Sequence, residues 1–336
     1  MNFIINVVII QKCRHFIFIM SSHNNSNIDI GFEINQHKDY QRLQVVTLSQ
    51  ELVEKFDELT SQYNVQSIEY KPFLRFFIAN CLNELTHNTL ADYLSNTLNN
   101  RSSGAILLQC NNLENIYDNH DNLIDLNIRL STAISHLIGL PNLDSMSGKF
   151  YARFSVKNED NSDSYLRQAH RRMELHNDGT YVEEKTDWVI MQKMLEKNVD
   201  GGDSLLLHLD DWKDVSKFHN HPLARHDFQW GSPSSKNVSY KLRHPIFLDD
   251  DKDGKPMMSY IDQFVEPMNM NEGLYLYELG ESLENESNTY HLTLPEGSMI
   301  IINNYFWVHG RDKFTANKNL HRELLRQRGV FAENID

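Results

Sequence analysis

From about residue 103 onward the chain changes texture, and that change decides its architecture. GAILLQC, GKFYARFSV, DWVIMQKM, GDSLLLHL, PMMSYIDQFV and GSMIIINNYFWVHG are short aliphatic and aromatic runs, separated by turn signals such as Asp253-Gly254 and Pro295-Glu296-Gly297. Runs of that length between Gly and Pro punctuation read as strands. Eight or so of them must bury their apolar faces against one another, and a double-sheet jelly roll over about 103–331 does so. Ahead of it, LSQELVEKFDELTSQYN sets Leu52, Phe56 and Leu59 on one helical stripe, continued by Phe73, Phe76, Phe77, Cys81, Leu82 and Leu85. The expected fold is mainly β with helical additions, a jelly-roll core behind an α-helical lead-in at about 48–98. No Pro/Gly/Ser linker divides the two parts, so 40–336 reads as a single domain, and no 20–50-residue repeat suggests a solenoid.

Residues 1–39 read as a disordered or artefactual leader. Its apolar runs 3–10 and 16–20 are split by Gln11-Lys12-Cys13-Arg14-His15, so neither approaches the roughly 20 residues of a membrane helix. It lacks a charged start and a small-residue cleavage site, which argues against a signal peptide and for translation from Met20. No membrane partner is expected.

The net charge of −14, with acids spread along the length, argues against nucleic-acid binding. An anionic ligand would need a local basic pocket. Cys13, Cys81 and Cys110 lie too far apart for a C-x-x-C site and are odd in number, which fits a reducing cytoplasm.

LHNDGTYVEE, residues 175–184, carries His176 and Asp178 two apart before Gly179. In a strand both would project from one face and converge on one ion while Asn177 points away. Alone, the pair reads equally well as a polar strand end, because H-x-D recurs at His37/Asp39 and His208/Asp210. The first of these lies in the polar lead-in and reads as a solvated loop. The second reads as a strand end with Asp210 or Asp211 capping a helix begun by Trp212. His309, closing the apolar run INNYFWVHG, is the best third ligand. Two histidines and a carboxylate on one face of an octahedral ion leave three positions open, the donor set of non-haem iron(II) oxygenases.

The segment 311–328 carries six Lys/Arg against two acids, reversing the charge of the chain. If 322–329 is a strand, Arg322, Arg326 and Arg328 share a face near His309 and could hold carboxylates. If RELLRQR is a helix, its charges are solvated.

With GGDSLLL at 201–207, these residues resemble the iron(II)/2-oxoglutarate-dependent dioxygenases of the taurine dioxygenase type. Ser204 stands where those enzymes place the Thr that contacts the 2-oxoglutarate tail carboxylate. YKPFLRF, MSGKFYARFSVKNEDNSDSYLRQAHRRMELHNDGTYVEE, GGDSLLLHLDDW, SKNVS, YIDQFVEP, NNYFWVHGRDKF and RELLRQRGVF more closely resemble the glutarate 2-hydroxylases, a carbon-starvation-induced family, over about residues 40–331. The resemblance implies a double-stranded β-helix enzyme, commonly a homotetramer, of lysine and glutarate catabolism. It would hydroxylate glutarate at C2 to (S)-2-hydroxyglutarate while converting 2-oxoglutarate and O₂ to succinate and CO₂. Carried over, His176, Asp178 and His309 match the iron ligands. Ser204, Arg322 and Arg326 would serve 2-oxoglutarate, and Arg326 and Arg328 the dicarboxylate substrate, with the division among the arginines left open. A related oxygenase of another short dicarboxylate, a zinc hydrolase using the same three ligands, and a non-catalytic dicarboxylate sensor are the competing readings.

Overall fold

The computed structural model describes residues 30–110, 120–144, 147–158, 169–232, 240–249 and 251–334. The expected leader up to residue 29, the SKNVS stretch and residues 159–168 lie outside the described residues. Gly31–Asp336 forms one compact unit. The expected boundary at residue 40 falls late: β1 (Phe32–Gln36) pairs antiparallel with β2 (Leu43–Leu48), which lies parallel to β3 (Ala105–Cys110). β1 escapes sequence reading because it is an edge strand with only Phe32 buried, so it shows no apolar run.

The lead-in is helical as the spacing predicts. α1 (Gln50–Thr60) starts at Ser49, whose hydroxyl accepts from the Leu52 amide at 3.2 Å, and buries Leu52, Val53 and Phe56. α2 (Val65–Tyr70), α3 (Pro72–Leu85) and α4 (Thr89–Leu98) follow. In α3 the buried face is Ile78, Ala79, Cys81 and Leu82, whereas Phe73 and Phe76, expected on the core stripe, are exposed. The strand-rich part also holds two long helices that its apolar runs did not reveal, α5 (His120–Ile138) and α7 (Met270–Glu284), besides the short α6 (Val215–His219).

Two sheets build the jelly roll. The larger continues from β3 through β13 (Met299–Asn303), β7 (Trp188–Lys197) and β15 (His321–Phe331), whose far edge carries β4 (Gly139–Pro141) and β5 (Ala152–Lys157). The smaller runs β12 (Tyr290–Leu292), β8 (Ser204–His208), β14 (Trp307–Arg311), β6 (Met173–His176). A third sheet orders β10 (Leu242–His244), β9 (Phe228–Trp230), β11 (Val265–Glu266). Val189, Met191, Ile300 and Ile302 of the large sheet and Leu205, Leu207 and Leu292 of the small one share a single apolar cluster, so the core fills the space between sheets. The other face of β7 is buried too: Gln192 donates to Asn127 of α5 at 3.1 Å. Burial on both faces is why β7 reads as a continuous apolar run rather than an alternation. No helix among the described residues is long and apolar enough to cross a membrane.

Candidate metal centre

The ligating atoms of His176, Asp178 and His309 all lie within 4.8 Å of one another, and among the described residues this is the one group of three or more potential ligands so close. His176 ends β6, and β14 lays His309 directly opposite it, ring centroids 4.4 Å apart. Asp178 sits two residues beyond the strand, on the turn that Gly179 makes with φ +84°. A side chain at Gly179 would also strike Thr186, its Cβ falling 2.3 Å from Thr186 Oγ1. Glycine is therefore required twice over, for conformation and for space.

The turn is pinned from behind. Asn177 points away from the centre, as strand alternation predicts, donating to the carbonyls of Asn304 (2.7 Å) and Trp307 (3.1 Å) and accepting from the Tyr260 amide (3.0 Å). Asn304 accepts from the Asp178 amide and donates to the Asp178 carbonyl, each at 3.0 Å, and donates to the Thr186 carbonyl at 2.8 Å. Sequence reading missed Asn304, although its place in the strand-end turn NNYF was the available signal.

The donor set fits a divalent ion. His176 Nδ1 lies 2.8 Å from the Glu174 carbonyl, which holds the proton on Nδ1 and leaves Nε2 to ligate. Nδ1 of His309 and Oδ2 of Asp178 are buried without a hydrogen-bond partner. Buried orphan acceptors are costly and call for a ligand. Burial, with His176 and Arg326 nearby, pushes the His309 imidazole down to about 3. Burial alone would raise the Asp178 carboxyl, but Arg326, His309 and His176 outweigh it and hold it well below the usual carboxylate range. A neutral His309 imidazole and an ionised Asp178 carboxylate are protonation states a metal needs.

Beside the centre lies a cavity whose walls include Ser204, Arg311, Arg322 and Arg326 as well as both histidines. The strand alternative for the C-terminal segment holds: Arg322 and Arg326 lie on the same face of β15, over the cavity. Arg326 Nη1 donates to Asp178 Oδ1 at 2.9 Å. Arg322 is 2% exposed, donates to the Gly202 carbonyl, and its Nε has no partner. Burial lowers it to about 10, still cationic at neutral pH. A buried guanidinium with an unused donor is a site for an anion. Arg328 does not line this cavity; it lies by the Gly179 turn, its Nη1 3.3 Å from where a Cβ there would stand. Arg311, which sequence reading did not single out, is buried on the cavity wall above the Phe314 ring. Its signal was its position two residues beyond His309 in the same strand. Gly202 makes room for Phe314, whose ring would lie 1.9 Å from a Cβ at that position.

The other two H-x-D pairs lie elsewhere. His37 and Asp39 form an exposed loop, the Asp39 amide donating to His37 Nδ1 at 3.2 Å. His208 ends β8, but the expected cap is reversed: its own Nδ1 accepts from the Asp210 amide at 3.0 Å and caps a 3-10 turn, Leu209–Asp211. Asp210 and Asp211 are instead taken by Arg101 and Arg42. The cationic partners, far away in sequence, outcompete a local cap.

Comparison with known proteins agrees with this geometry. The glutarate 2-hydroxylase of Salmonella typhimurium LT2 is 49% identical over 302 residues, covering 90% of this chain and 91% of the relative. That of Citrobacter koseri is 49% identical over 304 residues, covering 90% and 92%. Among solved structures, an asparagine oxygenase in complex with Fe(II), hydroxyasparagine and succinate superposes with a TM-score of 0.65 at 16% identity, over 86% of this chain and 93% of that one. The non-heme iron oxygenase OrfP in complex with Fe and alpha-ketoglutaric acid gives 0.67 at 16% identity, with the same coverage. At such identity the structural likeness establishes the fold alone, a non-heme iron oxygenase fold. The CsiD family profile matches residues 32–331, nearly the whole described chain, and the protein belongs to the CsiD family.

Proposed function

We propose that this chain is an iron(II)- and 2-oxoglutarate-dependent dioxygenase that hydroxylates glutarate at C2, giving (S)-2-hydroxyglutarate, succinate and CO₂. The observation that carries the reading is the His176/Asp178/His309 set opening onto a cavity that contains a buried, partly unsatisfied guanidinium. Bound at those three side chains, a ferrous ion supplies the redox chemistry that couples oxidative decarboxylation of 2-oxoglutarate by O₂ to insertion of one oxygen into a C–H bond.

The chain supplies orientation and charge. Glu174 fixes the His176 tautomer through its carbonyl, and Asn304 holds the Asp178 backbone. Arg322 and Ser204, both buried on the cavity wall, grip the far carboxylate of 2-oxoglutarate, one by charge and the other by its hydroxyl. Arg326, already against Asp178, offers its remaining donors to a substrate carboxylate, with Arg328 beyond it on the same face of the strand. Glutarate lacks only the keto group of 2-oxoglutarate, so chelation selects which diacid approaches the ion. The zinc-hydrolase reading gives no role to these buried arginines and is not favoured by the relatives. The family resemblance further suggests a cytoplasmic homotetramer.

The test is anaerobic purification with iron, followed by product analysis after adding O₂, 2-oxoglutarate and a panel of C4–C6 diacids. Succinate formed in step with 2-hydroxyglutarate, and only with glutarate present, supports the proposal. Turnover of a different diacid, or zinc-dependent hydrolysis without O₂ uptake, would refute it.

A further inference from the structure

β5 alternates strictly: Arg153, Ser155 and Lys157 are exposed, while Ala152, Phe154 and Val156 turn inward. Its antiparallel register on β15 sets Val156 opposite Arg322, Phe154 opposite Leu324 and Ala152 opposite Arg326. Residues directly opposed across a ladder share a face. Two apolar side chains of β5, Phe154 and Val156, therefore enter the wall of the cavity beside the metal centre, together with Arg322, Leu324 and Arg326.

Arg322 and Arg326 stand about 13 Å apart along the backbone of β15, with Leu324 between them on the same wall. Each guanidinium has its own aromatic neighbour. Arg322 lies over the Phe314 ring, 5.5 Å from its centroid, and Arg326 over the Phe154 ring at 5.0 Å. A ring against the face of a guanidinium leaves the edge of its planar fork for carboxylates. At Arg326 part of that edge is already taken, because Nη1 donates to Asp178. Between the two charges, Leu324 and Phe154 offer no polar group. That stretch of wall suits methylenes, and its extent limits how many.

The two rings differ in how they are held. Phe314 is buried and packed so closely on Gly202 that a Cβ there would lie 1.9 Å from it. Phe154 is only half-buried, on a strand that pairs with β15 alone. The cavity measures about 50 Å³, room for about four waters and less than a glutarate molecule fills. Admission of substrate therefore depends on a wall that yields, and Phe154 is the aromatic wall residue that is not fully enclosed. We propose that Phe154 determines the length of dicarboxylate the enzyme accepts, its ring closing the cavity at Arg326 against diacids longer than glutarate. The inference rests on the oxygenase reading and names the residue that selects its substrate. Chelation separates 2-oxoglutarate from glutarate; the ring separates glutarate from its higher homologues.

The test is anaerobic calorimetric titration of the iron-loaded full-length protein, saturated with 2-oxoglutarate, with glutarate, adipate and pimelate in turn. The parent should bind glutarate more tightly than adipate by about tenfold or more, the worth of one methylene at an apolar wall. Phe154→Ala should cut that ratio by about tenfold through tighter binding of adipate, and Phe154→Leu by less. The leucine variant keeps an apolar side chain in the strand, so the shift stays readable if the alanine variant is unstable. Affinity for 2-oxoglutarate, titrated separately, should hold within about threefold, since Phe314 rather than Phe154 flanks Arg322. A parallel fall for every diacid would mean that the ring merely steadies Arg326, and would overturn the proposal. A parent that binds glutarate, with the same length preference in both variants, refutes this inference alone. A parent that binds neither 2-oxoglutarate nor any of the diacids refutes the oxygenase reading, and this inference with it.

Discussion

Arg326 and Asp178, 148 positions apart, form a nearly buried ion pair at 2.9 Å in which only one carboxylate oxygen is used. Oδ2 of Asp178 is left without a partner, and the carboxylate belongs to the group formed with His176 and His309. The arginine therefore helps keep the carboxylate ionised and leaves its second oxygen without a protein partner. Arg326→Lys preserves charge but loses the planar fork. Steady-state kinetics should show KM for the diacid raised by about tenfold or more, with iron retained on metal analysis. Unchanged KM values for both diacid and 2-oxoglutarate would remove Arg326 from the pocket.

Arg322 is a buried charge whose Nε goes unsatisfied, so it costs stability in the ligand-free protein. Arg322→Met should leave the melting temperature equal or higher while weakening 2-oxoglutarate binding by about a hundredfold. Thermal melts with and without 2-oxoglutarate check both halves. A large fall in the ligand-free melting temperature, or an undiminished ligand-induced rise, would contradict the assignment.

Asn304→Ala removes three hydrogen bonds from a buried amide and orphans the Asp178 amide and carbonyl. The cost should be about 2–4 kcal/mol in urea unfolding. Because the Asp178 loop is what those bonds hold, iron affinity should also fall, by about tenfold or more. Asn304→Asp, which keeps the acceptor for the Asp178 amide, should recover part of the stability but less of the affinity, since its added charge sits beside the carboxylate.

Acid should weaken the fold before it disrupts the metal ligands. Burial beside Phe76 and Phe150, with Arg75 close by, pushes His136 down to about 4, against the opposing pull of the Thr132 carbonyl. The unfolded chain takes up a proton near 6.5 and the folded one only near 4, so the unfolded state binds more protons between those values. Stability contributed by the neutral ring is full above pH 6.5, falls as the pH drops toward 4, and levels off below. His136→Gln should flatten that part of the profile of urea midpoint against pH. A slope identical to the parent's would show that His136 does not contribute.

Much of this was legible in sequence because the relevant signals are local or periodic. The α1 stripe, the apolar β7 and β13 runs, and the Gly that follows His-x-Asp at the end of β6 announce themselves within ten residues. His309 could be picked out because a histidine closing a strongly apolar strand has few ways to be satisfied. What escaped was decided by partners distant in the chain. Asp210 reads as a cap until Arg101 is brought to it, and β1 has no pattern until β2 pairs with it. Phe73 and Phe76 look like core because aromatic residues at helical spacing usually are, yet α3 buries the neighbouring face. Arg311 hides among six basic residues whose burial no spacing rule can rank.

The pairing of His309 with His176 across β14 and β6 has a corollary for how the protein comes to life. Side chains alternate sides along a strand, so slippage by a single residue would turn one imidazole to the opposite surface. An assembled iron centre is thus a readout of correct strand alignment, and a misthreaded chain would betray itself by failing to capture metal long before any substrate arrives.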